Sequence, residues 1–110
     1  MPVKFYLTSS GRSPVEEFMQ GQSLEIRTAF VDAVTLLAGG QRLAMPVSRN
    51  LANVQAGLHE LRLKDRAGQI RVFYYIKRGD AIYVLHAFKK KSQGLPQREI
   101  AVALKRLREV

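Results

Sequence analysis

The sequence predicts an α+β fold: a small, antiparallel-rich sheet packed against an N-terminal helix hairpin, with a C-terminal helix. Three observations predict it. Alternating apolar and polar residues mark strands near the start and again between residues 58 and 88. Two capped helical stretches lie between these strand regions, and a last apolar stripe of helical spacing follows Pro96. With 110 residues, 46% of them hydrophobic and 25% charged, and no repeat, low-complexity tract or linker, residues 1–110 read as one soluble globular domain.

The first strand is "VKFYL", with Val3, Phe5 and Leu7 on one side and Lys4 and Tyr6 on the other. "SPVEEFMQG" then supplies a helix with Ser13 as cap, Pro14 at its first position, Glu16 completing a capping box and Gly21 as stop. A second helix begins after Ser23. Its stripe is Ile26, Phe30, Val34 and Leu37, and Gly39 and Gly40 end it. Residues 41–56 have no period, and Pro46 breaks any helix, so this segment reads as a loop with at most one turn. Strands follow at about 58–64, 69–77 and 81–88, joined by "DRAG" and "RGD", which carry Gly and Asp where tight turns want them. The C-terminal helix carries Ile100, Ala103, Leu104 and Leu107 on one stripe and Arg98, Lys105, Arg106 and Arg108 behind it.

Composition narrows the chemistry. With no Cys, neither a disulfide framework nor a thiolate site is possible, and His59 and His86 with few, scattered carboxylates offer no metal-ligand spacing. No metal or other cofactor is expected. No leader pattern and no long apolar run occurs, which makes a cytoplasmic protein without membrane contact the expectation. The formal charge of +9 is distributed unevenly: residues 1–56 have five basic and four acidic side chains, whereas residues 57–110 have 13 and five. An excess confined to one half suggests a surface that faces a polyanion, either nucleic acid or an acidic protein.

Parity places that surface. If Asp65 to Gly68 is a four-residue turn, Lys64 lies opposite Gln69, Arg62 opposite Arg71 and Glu60 opposite Phe73. Leu61, Leu63, Ile70, Val72 and Tyr74 then face the helix hairpin, and Glu60, Arg62, Lys64, Arg71, Phe73 and Tyr75 face the other way. Like charges directly opposite one another on paired strands are unfavourable by up to about 1 kcal/mol, so an anion is expected to offset them. A two-residue turn at "RGD" adds Ile82, Val84, His86 and Phe88 to the basic face, and a three-residue turn instead adds Tyr83 and Ala87. Lys89, Lys90 and Lys91 end the last strand at the rim. Such a face, with Phe73, Tyr75 and His86 as stacking groups, suits single-stranded RNA held by its backbone. The plainer alternatives are a Glu60 salt bridge to Arg62 or Arg71, and aromatic rings that pack beneath the C-terminal helix.

The element order, with "LHELRLK", "GQIRVFYYI" and "VLHAFKKKSQGLP", resembles the RelE/HigB superfamily of type II toxin–antitoxin toxins, in particular its phage-derived HigB-like branch, across about residues 3–107. The resemblance implies a RelE-like, microbial-RNase-like domain. Its activity would be that of an mRNA interferase, a metal-independent endoribonuclease that cuts mRNA on the ribosome and arrests growth. Its partners would be a cognate helix-turn-helix, HigA-like antitoxin and, only through that complex, operator DNA. In RelE-type toxins two basic residues lie two apart before a hairpin and an arginine follows seven residues later, a pattern that Arg62, Lys64 and Arg71 match; a further basic residue corresponds to Lys90, or to Lys89 or Lys91 beside it. The tyrosine that RelE carries near the C-terminal helix has no counterpart, since no Tyr follows Tyr83.

RNA cleavage without a metal needs the 2′-hydroxyl deprotonated, the phosphorane charge stabilised and the 5′-oxygen protonated. The candidates are Arg62 and Arg71 for the phosphate, Lys64 as base because neighbouring cations disfavour its charged form, and His86 or Tyr75 as acid. Two other classes of function compete: a ParE-like gyrase inhibitor, and a degenerate toxin that only binds antitoxin and DNA.

Overall fold

The computed structural model describes residues 1–91 and 93–110; Ser92, within the "VLHAFKKKSQGLP" stretch, lies outside the described residues. The elements run β1 (Val3–Phe5), α1 (Pro14–Gln20), α2 (Leu24–Ala38), β2 (Ser48–Asn50), β3 (Leu58–Asp65), β4 (Gly68–Lys77), β5 (Ala81–Lys90) and α3 (Gln97–Leu107). They form a compact α+β domain with a radius of gyration of 13.0 Å, and no described helix is long and apolar enough to cross a membrane. The five strands make one mixed sheet in the order β1-β5-β4-β3-β2, in which only β1 and β5 are parallel.

Local chemistry starts α1 and α2 where the sequence indicates. The Ser13 hydroxyl accepts from the Glu16 amide at 3.4 Å and the Ser23 hydroxyl from the Ile26 amide at 3.2 Å, satisfying first-turn donors that the helices cannot pair themselves. Ser23 also donates to Asp65 at 2.6 Å, tying the start of α2 to the β3–β4 turn. In that turn the other Asp65 oxygen accepts from the amides of Ala67 and Gly68 at 2.9 and 3.1 Å.

This turn fixes the register that parity requires: Lys64 pairs with Gln69, Arg62 with Arg71 and Glu60 with Phe73. Leu61, Leu63, Ile70, Val72 and Tyr74 accordingly meet Val15, Met19, Ile26, Phe30 and Leu37 of the helix hairpin in the main core. Burial of these side chains stabilises the fold by roughly 1.5–3 kcal/mol each before chain entropy is subtracted.

The first strand ends at Phe5, leaving Leu7 exposed rather than on its apolar side, and two larger features depart from the sequence reading. Within residues 41–56, Ser48–Asn50 forms an edge strand antiparallel to β3. Three polar residues show no periodicity; they become a strand because β3 offers a free edge and because buried Ser48 shares a 2.6 Å hydrogen bond with the Tyr74 hydroxyl. The second departure is in β5. Its turn is the three-residue one, since Lys77 pairs with Ala81, but a bulge between Phe73 and Tyr74 shifts the register so that Tyr74 pairs with Val84 and Phe73 with His86. Neither turn length therefore describes the whole strand. Tyr83 joins the face at one end and His86 and Phe88 at the other, while Ile82, Val84 and Ala87 enter the main core and Leu85, at the bulge, turns to the opposite side.

That opposite side is largely a second core. Leu51, Leu58, Phe73, Leu85 and Phe88 pack beneath Ile100 and Ala103 of α3, with Tyr75, Tyr83, Leu104 and Leu107 at the border. Among the described residues, the end of the sheet beyond α3 stays open to solvent.

Candidate functional site

At that uncovered end lies an open groove of about 770 Å³. Arg62 and Lys64 reach it from β3, Gln69 and Arg71 from β4, Lys90 and Lys91 from the end of β5, and Pro46 and Val47 from the segment leading into β2. Among the described residues lining it, five are cationic and none is acidic. The pleat explains the convergence. Residues of one parity on two paired strands share a face, and the Arg62–Arg71 and Gln69–Lys90 pairings bring three strands' cations together.

Arg71 forms the floor. It is only 5% exposed, its guanidinium donates to the Gln69 side chain at 2.6 Å and to the Ile70 carbonyl at 3.4 Å, and its Nε has no partner. Burial first, and then the charge of Arg62, pull its pKa below the usual guanidinium range, with Glu60 acting in the opposite direction. Glu60 is 2% exposed and lies beneath both arginines, with carboxylate oxygens 3.5 Å from Arg62 Nε and 4.0 Å from Arg71 Nε. It is thus an internal counter-anion that offsets the facing like charges. Neither contact is a hydrogen bond, however, and Glu60 Oε1 and the Nε of both arginines remain buried without partners. Unpaired polar atoms this deep in a fold are uncommon.

The structure does not bring every sequence-predicted residue to this groove. Arg62, Lys64, Arg71, Lys90 and Lys91 meet there. Lys89 does not: it pairs with Ile70, the parity of the helix side, beside Asp65, whose carboxyl is held below its ordinary range first by the Ser23 hydrogen bond and the turn amides and only lastly by the Lys89 charge. Phe73 is 0% exposed, its ring 5.3 Å from that of Phe88, and Tyr75 is half-buried at the other end of the sheet, opposite Tyr83. Neither lines the groove, because α3 needs their apolar surface. Of the two rings expected to stack on bases, Phe73 has no surface to offer an RNA base, and Tyr75 stands apart from the groove.

His86 is likewise turned away. Its Nε2 lies 2.7 Å from Glu99 Oε1, its ring stacks on Phe88 at 5.6 Å, and Arg106 approaches Nδ1 at 3.4 Å while donating to the Leu85 carbonyl at 2.9 Å. This cluster went unread in the sequence, although Glu99 and Arg106, seven apart, fall on one stripe of α3 facing His86. Burial lowers the His86 pKa from its ordinary 6.5; the Glu99 hydrogen bond works against this and the Arg106 charge with it. His59, stacked on Tyr74 at 5.1 Å, is lowered by burial and by Arg42.

With folded-state pKa values depressed, both histidines bind protons more readily in the unfolded chain, so stability is complete above the ordinary histidine value and falls as pH drops below it. The urea midpoint is expected to decrease between about pH 7.5 and about pH 5, and less so in the His59→Gln, His86→Gln double variant. A midpoint that rises on acidification means instead that the Glu99 pair dominates.

Chemically, the groove can hold a phosphate from several sides on preplaced guanidinium and ammonium groups. No curated protein matches the chain. Residues 17–108 match the family model described as "Phage derived protein Gp49-like (DUF891)". With most of its length matched, and with the basic hairpin inside the matched span, the chain belongs to the phage-derived Gp49-like family, a RelE/HigB-like toxin family.

Proposed function

We propose that this protein is the toxin of a type II toxin–antitoxin system, of the HigB-like branch with a RelE-like arrangement, and that it acts in the cytoplasm as a ribosome-dependent, metal-independent mRNA endoribonuclease. The observation that carries this reading is the convergence of Arg62, Lys64, Arg71 and Lys90 on one groove with Arg71 as its buried floor. Attack of a ribose 2′-oxygen on the adjacent phosphorus breaks the bond to the 5′-oxygen and leaves a cyclic phosphate. Positive charge fixed in advance around the phosphate stabilises the phosphorane, the step for which such preorganisation is worth most. In this reading Lys64, exposed at the groove, takes the 2′-hydroxyl proton, solvent protonates the departing 5′-oxygen, and the ribosome supplies the positioning that the free protein lacks.

A toxin family implies an antitoxin partner. A helix-turn-helix, HigA-like protein with an acidic or amphipathic segment that covers the groove or displaces α3 fits both the charge of the groove and the apolar bed under that helix.

One observation favours a second reading. His86 and Tyr75 lie away from the groove and no Tyr follows Tyr83, which leaves, among the described residues, no side-chain acid beside the phosphate floor and suits a degenerate toxin that only binds antitoxin and, through it, operator DNA. Mapping mRNA 5′ ends after a brief pulse of expression separates the readings. Cuts at defined codon positions in translated frames are expected. Intact mRNA with gyrase-dependent DNA breaks would assign a ParE-like inhibitor, and intact mRNA with undamaged DNA and normal growth a binder.

A further inference from the structure

Once the aromatic rings are assigned to the bed of α3, the basic groove is left without an aromatic side chain, yet one of its walls is apolar. Pro46 and Val47 line it, and Met45 stands beside it with its sulfur accepting from Arg62 Nη1 at 3.6 Å. Met45 is 57% and Val47 43% exposed. This wall is firmly attached. The Arg62 amide donates to the Val47 carbonyl at 2.7 Å, the amides of Val47 and Ser48 both donate to the Ala44 carbonyl at 3.0 Å, and Ser48 is fixed to Tyr74. Two apolar side chains are thus held in solvent directly against a cluster of cations.

Neither feature explains the other for a simple anion. A free phosphate uses the floor and ignores the wall, and a purely apolar peptide uses the wall and leaves the groove's cations without a ligand. A ligand with a flat apolar part attached to an anion uses both. We propose that Met45 and Val47 form the seat for a nucleobase of the RNA strand whose phosphate rests on Arg62 and Arg71, and that they set base preference. The thioether suits this role, because polarisable sulfur makes favourable contacts with aromatic rings and an unbranched side chain adapts to the ring it meets. The inference rests on the nucleic-acid reading of the groove, and its test is arranged so that the two fail differently.

The test compares the free protein's affinity for a short 5′-labelled oligoadenylate with that for an abasic ribose-phosphate strand of the same length, by fluorescence anisotropy. The unsubstituted protein is expected to bind oligoadenylate about 3- to 10-fold more tightly than the abasic strand, the range that sulfur–aromatic contact supports. A Met45→Ala, Val47→Ser double variant should lose that difference while binding the abasic strand as before, and Met45→Gln, which keeps the chain length, should lose part of it. Thermal unfolding of both variants controls for folding; these side chains are exposed, so little change is expected. Equal binding of the two strands by the unsubstituted protein overturns the base seat and leaves the cationic groove standing. Binding of neither strand overturns the base seat, and the nucleic-acid reading falls with it when mRNA in expressing cells is also left intact. A double variant that still prefers oligoadenylate places the base elsewhere, and if it has instead lost affinity for the antitoxin, the wall is a protein-docking surface; either result overturns the proposal.

Discussion

Arg71→Ala is expected to abolish growth arrest and to lower mRNA cleavage by roughly 30- to 1,000-fold, the loss of about 2–4 kcal/mol of transition-state stabilisation that follows removal of one preorganised donor. The basis is position as well as charge. Arg71 is buried and held by Gln69, so no neighbouring lysine can take its place without moving the strand. Arg71→Lys keeps the charge but loses the planar fork that binds Gln69 and a phosphate together, so it should recover only part of the activity. Combined with Arg62→Ala the loss should be less than additive, because both side chains act on one group.

Glu60 supplies the control. Glu60→Ala leaves two facing guanidiniums without their counter-anion and should cost about 2–4 kcal/mol of stability, somewhat below a fully buried pair because Arg62 keeps a quarter of its side chain in solvent. If Arg71 acts only as a structural partner of Glu60, the two variants should share one profile of lowered melting temperature and lowered activity. If it holds the scissile phosphate, Arg71→Ala should be inactive well below its melting temperature, whereas Glu60→Ala should cleave RNA wherever it is folded. A folded Arg71→Ala protein that cuts mRNA at the parent rate would remove the nuclease assignment of this face.

The second large effect is on stability. Phe73→Ala should destabilise the domain by about 3–5 kcal/mol, since the ring is fully buried between Phe88 and the α3 bed and little around it can collapse into the space. Against a total of about 5–15 kcal/mol for a domain of this kind, the melting temperature should fall by roughly 15 °C or more. Phe73→Leu restores most of the volume and should restore most of the stability, with RNA binding unchanged at temperatures where the protein is folded. A Phe73→Leu protein of near-normal stability that had lost its affinity for oligoadenylate would return this ring to the RNA surface.

These expectations show where sequence is sufficient. The helix starts at Ser13 and Ser23, the two-residue loop after Asp65 and the alternation of Arg62, Lys64 and Arg71 against Leu61, Leu63 and Ile70 are decided by residues within a few positions of one another. Caps, turns and pleat parity act at that range, and so the α+β class, the hairpin register and the Arg62, Lys64 and Arg71 part of the cationic cluster are written locally.

What tertiary structure alone decided are the features that depend on what covers what. The edge strand Ser48–Asn50 exists because β3 had an open edge and Tyr74 a hydroxyl to satisfy. The bulge in β5 lets one strand pair with Tyr75 through Tyr83 and with Phe73 through His86, a compromise between two registers that no alternation pattern contains. Above all, a face cannot report from its own sequence whether solvent or another element lies over it. The stripe of Ile100, Ala103, Leu104 and Leu107 needed apolar surface, and Phe73, Leu85 and Phe88 offered the largest area, so α3 settled there and drew His86 into its Glu99 and Arg106 cluster. Burial of apolar area is non-directional and acts over the whole chain, whereas charge that resists burial stays where water remains; the division of one sheet face into a covered aromatic half and an open cationic groove follows from that difference.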